Sequence, residues 1–389
     1  MTTSGPASFE QQFTTLSLTQ NSPESIVPPT DSFWKDIDIY CKCDCITPTI
    51  IPKDIPPLEL PVISYLELTH QCNNSCLGCW YGQSNRGTSR RKILTAHQWE
   101  IIFSKLAGPI QRLQITGGEP TLHPEFAEII NLIEQLAIPY VIFTNALWSD
   151  PPRLMTFLEQ KKHFNGFLIS LHGANAPTHE AFTGQPGSFE TTIQNIQLAT
   201  QIGFSVFTST VLFQDNFTQL LKIQGLAESL GARYSVYNRF VGSATEPGVL
   251  NKTDLKQAID QIEMMRLAGM TTRFGNCIPQ CFYPSSAAGC FAGSAFISID
   301  ASGNVKPCNH AFIHCGNLLT DSLFEVWDSA NMQRWRNLVP AQCQDCAEFS
   351  NCHGGCRAVG CYGTSGQDTL IVENEVHKTS RNPKCTINH

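Results

Sequence analysis

Apolar runs of strand length alternate with longer amphipathic segments from about residue 61 onward. Residues 62–68 (VISYLEL), 111–116, 139–144, 165–171, 204–212 and 233–239 have the length and apolar character of buried strands. Between them, helical spacing of apolar positions covers 95–107, 124–137, 150–162, 188–202 and 217–230, and a last such segment spans 252–268. Six strands each followed by a helix predict an α/β fold, a (β/α)6 partial barrel rather than a closed eight-unit one. In parallel barrels, functional side chains gather on the loops that follow the strands.

The flanks break this rhythm. Residues 1–55 are rich in Ser, Thr, Gln and Pro and read as a disordered or extended N-terminal segment. Within it, Cys41, Cys43 and Cys45 form a C-x-C-x-C stretch that is unusual for a tail. Residues 56–270 comprise the barrel. Across 271–389 cysteines take over, with a hairpin at 295–307 turning at Ser302-Gly303-Asn304 and one helix at about 321–337. The remainder of that region reads as loops that a metal must hold together.

Composition narrows the function. A formal net charge of −7 argues against a nucleic-acid-binding surface or an anionic-membrane anchor. No apolar run reaches the length of about 18 residues that a membrane span needs. The N-terminus has neither the basic nor the apolar region of a signal peptide, so a cytoplasmic protein is expected. Seventeen cysteines then need a reason. Their odd number and a reducing compartment favour metal binding or redox chemistry over a disulfide framework.

The first predicted strand runs into Thr69-His70-Gln71-Cys72-Asn73-Asn74-Ser75-Cys76-Leu77-Gly78-Cys79. Three thiolates at C-x3-C-x2-C spacing can each take one iron of a [4Fe–4S] cube, leaving the fourth iron open to a small-molecule chelator. A zinc site with a distant fourth ligand is the alternative. The second predicted strand ends in Ile115-Thr116-Gly117-Gly118-Glu119-Pro120. Paired glycines allow a close backbone approach, and the adjacent carboxylate can receive an ammonium group.

Together these two segments resemble the radical SAM superfamily. The resemblance implies a [4Fe–4S] cluster on Cys72, Cys76 and Cys79, with S-adenosylmethionine (SAM) held by Gly117, Gly118, Glu119 and Pro120. It also implies SAM contacts from Thr144 and Asn145 after the third strand and from Ser170 after the fourth. Two positions depart from the family pattern. Gly78 stands where an aromatic residue usually precedes the third cysteine, with Trp80 just beyond Cys79. His179-Glu180-Ala181-Phe182-Thr183-Gly184 lacks the basic residue of a His-x-x-x-Arg-Gly pattern.

Near the C-terminus the chain reads Cys343-x2-Cys346-x5-Cys352-x3-Cys356. Upstream, Cys290 is followed by Gly303 and Cys308; downstream stands Cys385. This code resembles the SPASM domain of radical SAM enzymes, which implies two auxiliary [4Fe–4S] clusters. By position, Cys290, Cys308 and Cys356 would hold the first. Cys343, Cys346, Cys352 and Cys385 would hold the second, with Cys361 competing for the last place. The first lacks a ligand, which Cys277, Cys281, one of Cys41, Cys43 and Cys45, or substrate could supply.

The family resemblance implies an enzyme that cleaves SAM to a 5′-deoxyadenosyl radical and modifies a ribosomally synthesised peptide. It further implies a precursor peptide as substrate and a reductant such as ferredoxin or flavodoxin. Many peptide maturases grip a leader with an N-terminal module of roughly 80 residues; the first 55 residues here lack its alternating strands, so recruitment is expected from a small leader-binding partner protein or from the barrel and C-terminal loops themselves. An anaerobic sulfatase-maturing enzyme is the nearest alternative, but Asn309 follows Cys308 where that group has an Asp, and an amide cannot accept a proton. A small-molecule or tetrapyrrole-modifying enzyme is the third reading. A non-catalytic electron carrier would not need the open cluster loop beside a GGEP strand end.

Overall fold

The computed structural model describes residues 58–79, 93–242, 246–286, 289–362 and 367–371. The expectations for residues 1–55, Trp80 and Cys385 lie outside them. Seven strands run parallel in chain order: β1 (Ile63–Glu67), β2 (Arg112–Thr116), β3 (Tyr140–Thr144), β4 (Phe164–Ser170), β5 (Val206–Leu212), β6 (Tyr234–Arg239) and β7 (Thr272–Phe274). The first six follow the apolar runs closely. β7 is three residues long, too short for any periodicity to announce it.

The helices between them are α1 (Ala96–Leu106), α2 (Phe126–Gln135), α3 (Pro151–Glu159), α4 (Ala176–Thr183), α5 (Ser188–Ile202), α6 (Leu220–Ser229) and α7 (Lys252–Leu267). Local chemistry sets their starts. Thr95 and Gln98 form a capping box on α1, while Asp150, Asn175 and Asn251 each accept a backbone N–H at the starts of α3, α4 and α7. The pattern analysis missed α4, which carries few apolar residues and so little periodic signal.

Alternation along each strand divides the core. Leu66, Leu113, Ile115, Ile142, Phe167 and Ile169 pack with Trp99, Ile102 and Ile129 of the helices. The intervening Val141, Leu168, Phe207 and Val236 gather on the other face of the sheet. Both faces are therefore apolar, as a parallel sheet requires.

The C-terminal hairpin does not stand apart. Its strands β8 (Phe296–Ile299) and β9 (Val305–Lys306) extend the sheet, with β8 parallel to β1 and β9 antiparallel to β8. The buried Lys306 ammonium donates to both Glu67 carboxylate oxygens at 2.9 and 3.0 Å, joining β9 to β1. At the far side, buried Arg239 at the end of β6 pairs with buried Asp368, whose carboxylate also accepts the Cys356 N–H at 2.7 Å. The single helix expected at 321–337 is two, α8 (Leu323–Trp327) and α9 (Ala330–Arg336). Ser329 caps the second by accepting the Met332 N–H, a start signal inside the apolar pattern.

Candidate active site

The Cys72–Cys79 loop leaves β1 pinned on two sides. Gly118 donates its N–H to the Thr69 carbonyl at 2.8 Å, and Glu119 donates to the Gln71 carbonyl at 2.7 Å. A Cβ at Gly118 would overlap that Gln71 carbonyl, and one at Gly117 (φ +151°) would lie 2.7 Å from the Thr69 oxygen. The paired glycines thus admit the cysteine loop itself, a role that the ligand-approach argument did not include. On the opposite side, the N–H groups of Ser75 and Leu77 donate to the carbonyls of Thr183 and Phe182 at 2.9 and 2.7 Å. The His179–Gly184 segment, which departs from the family pattern, clamps the loop through backbone groups.

Glu119 is fully buried. Its carboxylate accepts the hydroxyls of Thr121 and Thr144 at 2.7 and 2.9 Å and the Asn145 N–H at 2.9 Å. Burial raises its carboxyl above the ordinary range, against the pull of these donors. The side chain is therefore committed inside the protein, tying the end of β2 to the end of β3. Asn145 extends the same network, donating to Asn73 Oδ1 at 2.7 Å and to Cys72 Sγ at 3.7 Å.

Burial pushes the Cys72 thiol up to about 11, with the Glu119 and Cys79 charges adding to it. Cys76 is raised as well, by burial and then by Cys79 and Cys72. Two thiols held un-ionised by burial suit a cationic iron centre, which would stabilise them as thiolates. Among the described residues no three His, Cys, Asp or Glu side chains converge on the space of a single ion.

Beside the loop lies a cavity of about 260 Å³. Cys76 and Cys79 form one wall, Ser170, Asn238 and Arg239 stand at the strand ends, and His310 reaches it from the C-terminal region. Phe240, just past β6, covers Gly78 so closely that a Cβ there would run into its ring. An aromatic face therefore stands beside the position where the sequence lacks one. Phe240 went unnoticed in the sequence, although its place immediately after a strand was the available signal.

The C-terminal cysteines sort into two groups. Cys290 and Cys356 both hydrogen-bond with Cys277, which lowers both thiols, Cys290 to about 5. Cys308 is buried in the same apolar cluster, and Cys361 packs against it. Cys343, Cys346 and Cys352 line a separate cavity of about 380 Å³. Cys315 lies in neither group; it is buried in the barrel core beside Leu318 and Met332. No described cysteine is in a disulfide.

The same division appears at family level. Residues 66–225 match the radical SAM superfamily, and residues 290–353 match SPASM, an iron–sulfur cluster-binding domain. The chain belongs to the radical SAM superfamily. Among its relatives is the AdoMet-dependent heme synthase of Methanosarcina barkeri, 26% identical over 324 residues that cover 75% of this chain and 90% of that one. The mycofactocin maturase MftC of Mycobacterium tuberculosis is 28% identical over 333 residues, 80% of this chain and 82% of the relative. The crystal structure of Streptococcus suis SuiB bound to S-adenosylmethionine shares the fold, with TM-score 0.68 and 17% identity over 80% of this chain and 77% of that one. This radical SAM enzyme thus carries its SPASM hairpin on the first barrel strand. No described helix is long and apolar enough to cross a membrane.

Proposed function

We propose that this radical SAM/SPASM enzyme modifies a side chain of a ribosomally synthesised precursor peptide. The cavity between the Cys76–Cys79 wall, the strand ends and His310 is where that side chain would meet SAM. It opens at the strand ends beside the cysteine loop, where an extended peptide can present one side chain. The likeness to a maturase over 80% of the chain supports the same choice.

In this reading Cys72, Cys76 and Cys79 hold the SAM-binding [4Fe–4S] cluster. Such a cluster, when bound and reduced, would supply the electron for reductive cleavage of SAM. The protein's own contribution is positional. The Glu119–Thr144–Asn145 network fixes the Cys72 side of the loop, and the end of α4 fixes the Cys76 side. Phe240 and Ser170 border the space where SAM and substrate meet. Cys277, Cys290, Cys308 and Cys356 hold one auxiliary cluster, and Cys343, Cys346 and Cys352 contribute to another. The chain divides near residue 270, where the barrel passes into the auxiliary-cluster region. A ferredoxin or flavodoxin supplies electrons, and a small leader-binding protein recruits the peptide.

A tetrapyrrole substrate is the second reading, favoured by the heme synthase relative, whose length this chain covers to 90%. Anaerobic incubation with SAM, dithionite and synthetic peptides translated from short reading frames flanking its gene separates the two. We expect 5′-deoxyadenosine and a mass change in the peptide, and neither product from Cys72→Ala/Cys76→Ala/Cys79→Ala. Turnover of a tetrapyrrole with an unaltered peptide would replace the first reading by the second. Formylglycine in a sulfatase peptide would instead revive the sulfatase reading that Asn309 disfavours.

A further inference from the structure

Two C-x3-C segments lie side by side where the barrel ends. Cys277-Ile278-Pro279-Gln280-Cys281 follows β7, and Cys352-His353-Gly354-Gly355-Cys356 closes the four-cysteine run. Cys277 hydrogen-bonds with Cys356. Cys281 shares the walls of the cavity of about 380 Å³ with Cys352, Cys343 and Cys346. The first cysteine of one segment therefore meets the last of the other, and the two segments run in opposite senses. Midway between these pairs, a Cβ on Gly355 (φ +75°) would lie only 2.9 Å from Pro279. A side chain there would meet the Pro279 ring and, nearer still, the Asp368 carboxylate, so glycine lets the two segments pack together. The Pro279 carbonyl accepts the N–H groups of Phe282 and Tyr283 at 2.9 and 3.0 Å, and Cys281 lies within the turn they close.

We propose that Cys281 is the fourth thiolate of the second auxiliary site, beside Cys343, Cys346 and Cys352. One short segment then serves both auxiliary sites, with Cys277 in the first and Cys281 in the second. Cys352 and Cys356 divide in the same way, at the same spacing. Four thiolates complete the coordination of a four-iron cube, so Cys385 is not required. The assignment rests on the reading that Cys343, Cys346 and Cys352 hold an iron–sulfur cluster.

The test uses the full chain with Cys72, Cys76 and Cys79 replaced by Ala, so that only auxiliary iron is counted after anaerobic reconstitution with iron and sulfide. Adding Cys281→Ala should remove about half of that iron and one four-iron component of the Mössbauer spectrum, whereas Cys385→Ala should keep both. Cys281→Ser retains an oxygen donor of similar size and guards against misfolding. It should keep its iron yet shift one auxiliary EPR signal, while Cys385→Ser leaves the spectrum unchanged. Full iron and an unshifted spectrum in both Cys281 variants would overturn the assignment. No auxiliary iron in the parent with its C-terminal cysteines intact would overturn the underlying cluster reading instead.

Discussion

Glycine at position 118 shows how much of this site depends on the space of a single methyl group. Its missing Cβ is where the Gln71 carbonyl sits, and that carbonyl accepts the Glu119 N–H one residue before Cys72. Gly118→Ala must push the cysteine loop away from β2, since backbone on both sides leaves no flexible side chain to yield. We expect this variant to lose the iron held by Cys72, Cys76 and Cys79, about one-third of the total if three four-iron clusters are present, and to release no 5′-deoxyadenosine. Iron analysis and product chromatography check both outcomes. Glu119 works at the same scale. Its buried oxygens gather donors from Thr121 in the turn after β2 and from Thr144 and Asn145 at the end of β3, so its carboxylate knots the two strand ends together.

At the scale of an element, α4 is the clamp on the cysteine loop, and two histidines make it sensitive to acid. His179 Nδ1 accepts the His172 N–H at 3.2 Å, and His172 Nδ1 accepts the Val211 N–H at 3.2 Å. A ring nitrogen that accepts is unprotonated, so both imidazoles are neutral. Burial lowers both, His179 to about 4 and His172 well below its ordinary value, with His179 adding to the latter. Between the unfolded value near 6.5 and the folded value near 4, the unfolded chain binds more protons. Stability contributed by the neutral ring is therefore present above pH 6.5 and falls as pH drops towards 4, by roughly 3 kcal/mol for His179. Urea unfolding across this range should show the slope. His179→Asn, which keeps an acceptor but cannot titrate, should flatten it; an unchanged slope would place the sensitivity elsewhere.

At the scale of the molecule, the barrel and the cysteine-rich region are held together by buried charge as well as by the shared sheet. Glu67 is 1% and Lys306 6% exposed in their side chains, so neither can be satisfied by water if its partner is lost. Lys306→Met removes the ammonium from a buried carboxylate, which keeps the Ser298 hydroxyl as a donor but loses its opposite charge. Such uncompensated charges cost about 3–5 kcal/mol. We expect a correspondingly lower denaturation midpoint, and a single transition, because β8 and β9 continue the barrel sheet. A separate early transition of the cysteine-rich region would show that the two parts unfold independently. The Arg239–Asp368 pair makes the second tie, and it places the Cys356 N–H on the same carboxylate that neutralises the end of β6.

What the sequence determined by itself was whatever depends on near neighbours in the chain. Six strands were legible because side chains alternate with period two and both faces of a parallel sheet are apolar. The Cys72–Cys79 loop and the Gly117–Pro120 strand end were legible because spacing along the backbone is covalent. Short or weakly periodic elements such as β7 and α4 left no such trace, and the cap at Ser329 split a segment that its apolar spacing made continuous. Only the tertiary structure decided which distant groups meet. It brought Phe240 over Gly78, spent the Glu119 carboxylate on Thr144 and Asn145, and joined Cys277 to Cys290 and Cys356. A sequence names the thiols and carboxylates available. Which of them share a space depends on burial and on close backbone approach across the folded chain, and those contacts have no period to read.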